Sequence, residues 1–374
     1  MQYREFGKTG IKISALGFGA MRLPSCDVDG NWVVDREKAV AMIQRASELG
    51  VNYIDSAHVY HGGESEVVVG LGIKGARDKW VVSTKCPIWN VKEVGDARKY
   101  LEEQLKRLDT DHIDFYHLHG LGGEEQVENL TKLQVFADMQ KAKEEGLIKH
   151  LSFSSHGSPE FVMSQIDRGI FSSILCQYNL LDRNYEKAFA HAHQNGVGTV
   201  AMGPVAGGRL ACPTDVFENT LNSKFEGTYE IALRFVLANQ DITCALSGMS
   251  TMEQLEANVK VASIEEPLSA LELEKVNVML QESKSMADLY CTGCNYCSAC
   301  PQGIKISEVF KLMNYHQVFH LTEMAKREYA NLGKNEWSGK AVSECIECGN
   351  CETACPQHLK VIEKLKEVDR ELGA

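Results

Sequence analysis

Short apolar runs alternate with longer amphipathic stretches along the first ~260 residues of the chain. Runs rich in Val, Ile and aromatic residues at 15–19, 51–55, 80–85, 113–119, 150–154, 173–176, 197–202 and 243–247 read as strands. Between them the apolar positions recur at helical spacing near 35–49, 65–71, 95–108, 128–145, 159–168, 184–195, 228–239 and 251–261. Asp35 is placed to cap the first helix, in which Val40, Ile43 and Ala46 form an apolar stripe, and Gly50 to stop it. Eight strand–helix units in about 250 residues predict an α/β chain folded as a (β/α)8 TIM barrel. A doubly wound open sheet is the competing architecture, but no Gly-x-Gly-x-x-Gly follows an early strand. Residues 3–13 read as a polar hairpin turning at Gly7 and Gly10.

After the linker Glu265-Glu266-Pro267 the pattern gives one more amphipathic helix over 268–284, expected on the outside of the barrel. The tail then reads as helical around 306–332, up to Gly333. These features divide the chain into a barrel over 1–284 and a mainly α-helical domain over 285–374.

Composition narrows the function classes. Hydrophobic content of 44% and charged content of 24% suit a globular core. A net charge of −12 argues against nucleic acid and against an anionic membrane surface, and suits docking to a basic patch on a redox protein partner. No stretch approaches the ~18–20 apolar residues of a spanning helix, so no membrane role and a cytoplasmic location are expected.

The cysteines change the picture most. Eight of 13 fall in two tail runs: Cys291, Cys294, Cys297, Cys300 with Pro301, and Cys345, Cys348, Cys351, Cys355 with Pro356. The second run has the Cys-x2-Cys-x2-Cys-x3-Cys-Pro spacing of bacterial 4Fe–4S ferredoxins, whose last cysteine ligates the other cluster. The expectation is therefore Cys291, Cys294, Cys297 and Cys355 on one cluster, with Cys345, Cys348, Cys351 and Cys300 on a second. The first run departs from the pattern, with two residues rather than three before its Cys-Pro. Structural zinc more often takes two separated Cys-x2-Cys pairs, and disulfides need an oxidising compartment. The 44 residues between Cys300 and Cys345 read as helical, unlike the short strand-rich insert of small two-cluster ferredoxins.

In a (β/α)8 barrel, chemistry sits at the C-terminal strand ends. Asp55 ends one strand, Lys85 the next and His119 the one after, with Tyr60 in the loop beyond Asp55. If those faces point inward, a carboxylate, an ammonium, an imidazole and a phenol converge. A phenol titrates near 10, and a nearby cation favours its ionised form. Lys85, held charged by Asp55, would thus let Tyr60 give a proton to a carbonyl oxygen that His119 orients. Taken singly, an Asp–Lys pair or a strand-end His is more often structural; the constellation outweighs that.

These residues resemble the aldo/keto reductase family. Ile-Asp-Ser-Ala-His-Val-Tyr with Glu64-Ser65-Glu66, then Ser83-Thr84-Lys85, then Ile113-Asp114-Phe115-Tyr116-His117-Leu118-His119, are similar to its motifs. The resemblance covers 1 to about 262 and implies NAD(P)H-dependent reduction of a small-molecule aldehyde or ketone, without flavin or metal. It puts the tetrad on Asp55, Tyr60, Lys85 and His119. It also implies that Ser154, Ser155 and Gln177 hold the nicotinamide. Met202, Pro204, Val205 and Gly207 would follow the pyrophosphate, and Gly248, Gln254 and Asn258 the adenosine. Ser155 replaces the usual Asn, and Met202 the aromatic that often stacks on nicotinamide. Gly248 and Gln254 stand where NADPH-preferring members carry Lys or Arg, which favours NADH; Arg209 is a cation able to compensate. Trp32, Trp89, His61 and His156 are candidate substrate-wall residues.

Hydride transfer moves two electrons and a 4Fe–4S cluster one, and no flavin fingerprint bridges them. The clusters are open to partner exchange, one-electron chemistry or a fold-stabilising role. Two non-catalytic alternatives stand beside the reductase: an electron-transfer protein on a barrel scaffold, and a cofactor sensor with little turnover.

Overall fold

The computed structural model describes residues 1–374 except 29–30, 213, 215, 217–219, 222–224, 289–295, 335–337, 356–357 and 374. Cys291 and Cys294 lie outside the described residues, as does the side chain of Trp32.

Eight parallel strands close into a barrel: β3 (Leu16–Gly19), β6 (Tyr53–Asp55), β7 (Val81–Cys86), β8 (Ile113–Leu118), β9 (Ile148–Ser155), β10 (Ser173–Gln177), β11 (Gly198–Met202) and β12 (Cys244–Gly248). They neighbour one another in chain order, and β12 pairs back onto β3 through Gly248 and Gly19. Each strand is almost wholly buried, as expected where helices cover the outside and side chains fill the inside. The expected hairpin is β1 (Tyr3–Glu5) against β2 (Lys12–Ser14), and a second pairs β4 (Ser25–Val28) with β5 (Asn31–Val34). Phe6, at the end of the first hairpin, packs edge-on to Tyr53 and tilted against Phe115, with ring centroids 5.8 and 4.6 Å away. With Ile13, Leu175, Val200, Cys244 and Leu246 they form one buried cluster at the N-terminal strand ends. That end is filled; chemistry belongs at the other.

The helices follow the expected positions. α1 (Arg36–Glu48) is capped by Asp35, whose carboxylate accepts from the Lys38 backbone N–H at 3.1 Å. One expected helix, 128–145, is two, α4 (Glu124–Lys132) and α5 (Val135–Glu144), because Gln134 between them is left-handed at φ 59°. The other barrel helices are α2 (Glu64–Ile73), α3 (Asp96–Arg107), α6 (Pro159–Asp167), α7 (Glu186–Gln194), α8 (Thr228–Ala238) and α9 (Met252–Ala262).

Contacts divide the chain into two units, Met1–Gly207 with Ala232–Leu268, and Gly208–Ile231 with Ser269–Ala374. The helix α10 (Ala270–Asp288) falls in the second of these units. That unit also takes in the stretch between β11 and α8. There Thr214 donates to the Phe319 carbonyl at 2.7 Å, and Arg209 lies over the Tyr315 ring at 5.6 Å. The tail is helical as expected: α11 (Ile306–Gln317), α12 (Thr322–Tyr329), the short α13 (Asn350–Ala354) and α14 (Val361–Leu372). Among the described residues no helix is long and apolar enough to cross a membrane.

Candidate active site and cluster cradle

Asp55, Lys85 and His119 come together at the C-terminal ends of β6, β7 and β8, and Tyr60 returns over them from the β6 loop. Register puts Asp55 beside Ser83, and Lys85 beside His117. Asp55 and Lys85 are 2% and 1% exposed, so the pair is cut off from water. The Lys85 ammonium donates to Asp55 Oδ1, to the Ser56 carbonyl at 2.6 Å and to the Tyr60 hydroxyl at 3.3 Å. Its three donors are thereby used. Ser83 donates to the other Asp55 oxygen at 2.7 Å. Burial alone would push the Lys85 amine down; the charges of Asp55 and then Tyr60 outweigh it, and the net shift is upward. Lys85 remains an ammonium against the phenol, with Nζ 4.7 Å from the ring centroid.

The Tyr60 loop is strained. Behind Tyr60, His61 is left-handed at φ 50°, followed by Gly62 and Gly63 at 64° and 96°. A non-glycine residue in that region is uncommon and marks a turn that the surroundings impose. The His119 ring stands edge-on to Tyr60, centroids 6.0 Å apart at 88°, and Trp89 lies against its other side at 4.9 Å. Burial first, then Lys85, His117 and His156, push the His119 imidazole down to about 3. It is neutral at physiological pH and offers one N–H donor.

A buried network behind Lys85 was visible in the sequence only as part of a motif. Glu66, fully buried, accepts from Thr84 Oγ1 and Gln104 Nε2, each at 2.6 Å, and from Arg107 at 3.3 Å. Gln104 also donates to the Lys85 carbonyl at 3.1 Å and accepts from Tyr116 at 2.6 Å. Gln104 gave no sequence signal, since a glutamine in an amphipathic helix reads as solvent-facing.

The residues expected to hold cofactor lie on the opposite arc, at the ends of β9 to β12. Ser154 accepts from the Gly120 N–H at 2.9 Å, and Ser155 from that of Gly157 at 3.0 Å. Gln177 pairs in register with Met202 and donates to Asp182 at 2.9 Å. Pro204 and Val205 follow the left-handed Gly203, and Gly207 is left-handed at φ 68°. Gln254 accepts from Ser250 N–H at 2.8 Å, and Asn258 donates to Ser247 Oγ at 3.1 Å. Arg209, the cation considered as a compensating donor, is engaged elsewhere, over Tyr315 and 4.0 Å from Glu328.

The residue missed is Arg22, in the loop after β3. Its stem runs along Gly248, where an added Cβ would come within 3.1 Å of it, and its guanidinium reaches Gly207, at 3.3 Å from an added Cβ. It is exposed and has no carboxylate partner among the described residues. An uncompensated guanidinium beside two bare glycine positions suits a group carrying phosphates. A lone Arg in Ala-Met-Arg-Leu-Pro at a strand end was the available signal.

In the tail unit, Cys300, Cys345, Cys348 and Cys351 line one hollow, otherwise walled by Pro301, Gln302, Ile304, Ile306, Ile346, Ile362 and Leu365. This is the set expected from the spacing. Cys355 follows α13, against which the turn Tyr296–Ser298 carrying Cys297 packs. Among the described residues no three His, Cys, Asp or Glu side chains close on a single ion.

Comparison with known proteins places this architecture. The aldo/keto reductase family model matches residues 15–280. The chain belongs to the aldo/keto reductase family. A 4Fe–4S dicluster domain model matches residues 280–360, so the reductase barrel continues into an iron–sulfur domain. L-galactose dehydrogenase of Arabidopsis thaliana is 30% identical over 319 residues, 76% of this chain and 96% of that protein. The aldo-keto reductase AKR11C1 of Bacillus halodurans, in its holo form, superposes with a TM-score of 0.64 at 29% identity, covering 74% of this chain and 96% of that one. The thermostable aldo-keto reductase Tm1743 gives 0.62 at 26% identity over 74% and 99%. This aldo/keto reductase is an oxidoreductase, and its family uses NAD(P)H.

Proposed function

We propose that this chain reduces an aldehyde or ketone with NAD(P)H, Tyr60 serving as proton donor, and that its tail carries two 4Fe–4S clusters. The observation that carries the first part is the Lys85 ammonium held by Asp55 and Ser56 O with its third donor on the Tyr60 hydroxyl. When bound, the nicotinamide supplies hydride to the carbonyl carbon. Tyr60 supplies the proton to the carbonyl oxygen; Lys85 stabilises the phenolate left behind; neutral His119 donates a hydrogen bond that orients that oxygen. Trp89, 45% exposed against His119, shields one side of the reacting carbonyl from water. Arg22, which runs along Gly248 to reach Gly207, faces the cofactor phosphates, while Gly248 and Gln254 themselves supply no cation to the adenosine end, which favours NADH.

Four thiolates around the hollow at Cys300 suit one cluster, and Cys291, Cys294, Cys297 and Cys355 the other. The clusters supply one-electron transfer, through which a redox protein could be served. The test is anaerobic reconstitution with iron and sulfide analysis, followed by NADH and NADPH oxidation across a carbonyl panel. Cofactor oxidation by wild type that is lost in Tyr60→Phe supports the reading; equal rates for both proteins overturn it.

A further inference from the structure

The mechanism leaves one buried imidazole unused. His117 is two residues before His119 on the same inward face of β8, in register with Lys85 on one side and Ser152 on the other. It is fully buried, and neither ring nitrogen has a hydrogen-bond partner among the described residues in normal geometry. Ser152 Oγ accepts from Ser173 at 2.7 Å and makes no hydrogen bond to the ring. Lys85 has no donor to spare, with all three engaged. Asp55 does have capacity: its two oxygens take one hydrogen bond each, from Lys85 and Ser83, and a carboxylate accepts about four.

The charged and titratable groups facing the ring are Asp55 on β6, Lys85 on β7 and His119 on its own strand, with the Phe153 carbonyl from β9. Burial, helped by the ammonium of Lys85, outweighs the opposing pull of Asp55 and of the Phe153 carbonyl and holds the imidazole down at about 4. His117 is thus a neutral ring with one donor and one acceptor. Buried polar groups are satisfied by protein or by ordered water.

We propose that His117 is a positioning residue: beside Lys85, on the neighbouring strand, it binds an internal water that donates to the Asp55 carboxylate. This deepens the reductase reading and rests on it. The water then takes up acceptor capacity that Asp55 has to spare and holds in place the carboxylate that grips the Lys85 ammonium beside Tyr60. The position of His117 matters as much as its polarity, since a charged ring there would compete with Lys85 for Asp55.

The experiment has two arms on the full-length, cluster-loaded protein. The first is a crystal structure resolving ordered solvent, for wild type and His117→Leu. Water density between the His117 ring and Asp55, absent in the variant, supports the proposal whether or not a substrate is known; a dry ring in wild type overturns it. The second is steady-state kinetics with the cofactor and carbonyl varied separately. In His117→Leu kcat falls about tenfold, the effect of losing one bridging hydrogen bond of ~1.4 kcal/mol, with the cofactor KM kept, and His117→Gln restores kcat. A Leu variant with the wild-type kcat, or with kcat and cofactor KM altered together, overturns the positioning role. Tyr60→Phe in the same assay tests the reductase reading separately. If the Leu variant does not fold, the Gln variant and the wild-type density decide.

Discussion

The Lys85 ammonium lies 3.3 Å from the Tyr60 hydroxyl while Asp55 holds it from behind. A cation fixed there with 1% exposure acts in a medium where its field is little screened. Tyr60→Phe removes the transferable proton and leaves the pair intact. The expected result is a fall in kcat of about 10²–10⁴-fold, with cofactor affinity kept, read by steady-state kinetics beside cofactor titration.

Asp55→Asn is a different experiment, because it strands the buried ammonium. Breaking a buried pair by removing one partner costs about 3–5 kcal/mol. Asp55→Asn therefore lowers the urea midpoint as well as kcat, whereas Tyr60→Phe lowers kcat alone. Coincident stability losses in the two variants would contradict this division of roles.

The barrel was legible because its strands are short apolar runs at regular spacing and all point to one core. The tetrad was legible because three strands each end on a polar residue, a pattern burial alone would not select. The helix break at Gln134 was hidden, since the apolar positions on either side keep helical phase and only the backbone departs. Gln104 and Arg22 were hidden for a second reason. Their roles arise from elements far apart in sequence, β7 against α3, and the β3 loop against Gly207 and Gly248. The excursion of Gly208–Ile231 into the tail unit could not be read from local pattern either, because its partners Tyr315 and Phe319 lie some hundred residues on.

Arg22 gives a prediction of opposite character to Tyr60. It touches no reacting atom, and its place beside Gly207 and Gly248 suits the cofactor phosphates. Arg22→Met is expected to raise the cofactor KM about tenfold, the effect of losing a charge-assisted hydrogen bond of ~1.5 kcal/mol, with kcat unchanged. The increase should shrink as salt rises, because an exposed charge is screened. A fall in kcat at unchanged KM would move Arg22 to the substrate side.

The buried histidines make the barrel acid-sensitive. His117 and His119 are held at about 4 and about 3 in the fold, against an ordinary value near 6.5. Between those values the unfolded chain binds more protons than the folded one, so stability rises with pH and falls as the solution is acidified below about 6.5. Each histidine contributes a slope of at most about 1.4 kcal/mol per pH unit. Urea midpoints for wild type and His119→Asn should diverge at pH 7.5 and converge towards pH 5, since the variant has one fewer group to protonate. Parallel curves would show that His119 titrates freely in the fold.

The tail offers the cleanest separation between ligand sets. Cys300 comes from the first cysteine run but shares its hollow with Cys345, Cys348 and Cys351 of the second. Cys300→Ser and Cys348→Ser should therefore behave alike, each halving iron and sulfide to about four atoms per chain and leaving one 4Fe–4S spectrum. Cys297→Ser and Cys355→Ser should pair in the same way and leave the other. The decisive variant joins runs across the pattern: Cys300→Ser with Cys348→Ser should lose no more iron than either alone, because both strike the same cluster. Loss of all iron in that double variant would mean that each run ligates its own cluster, and that the hollow at Cys300 gathers its thiols for another reason.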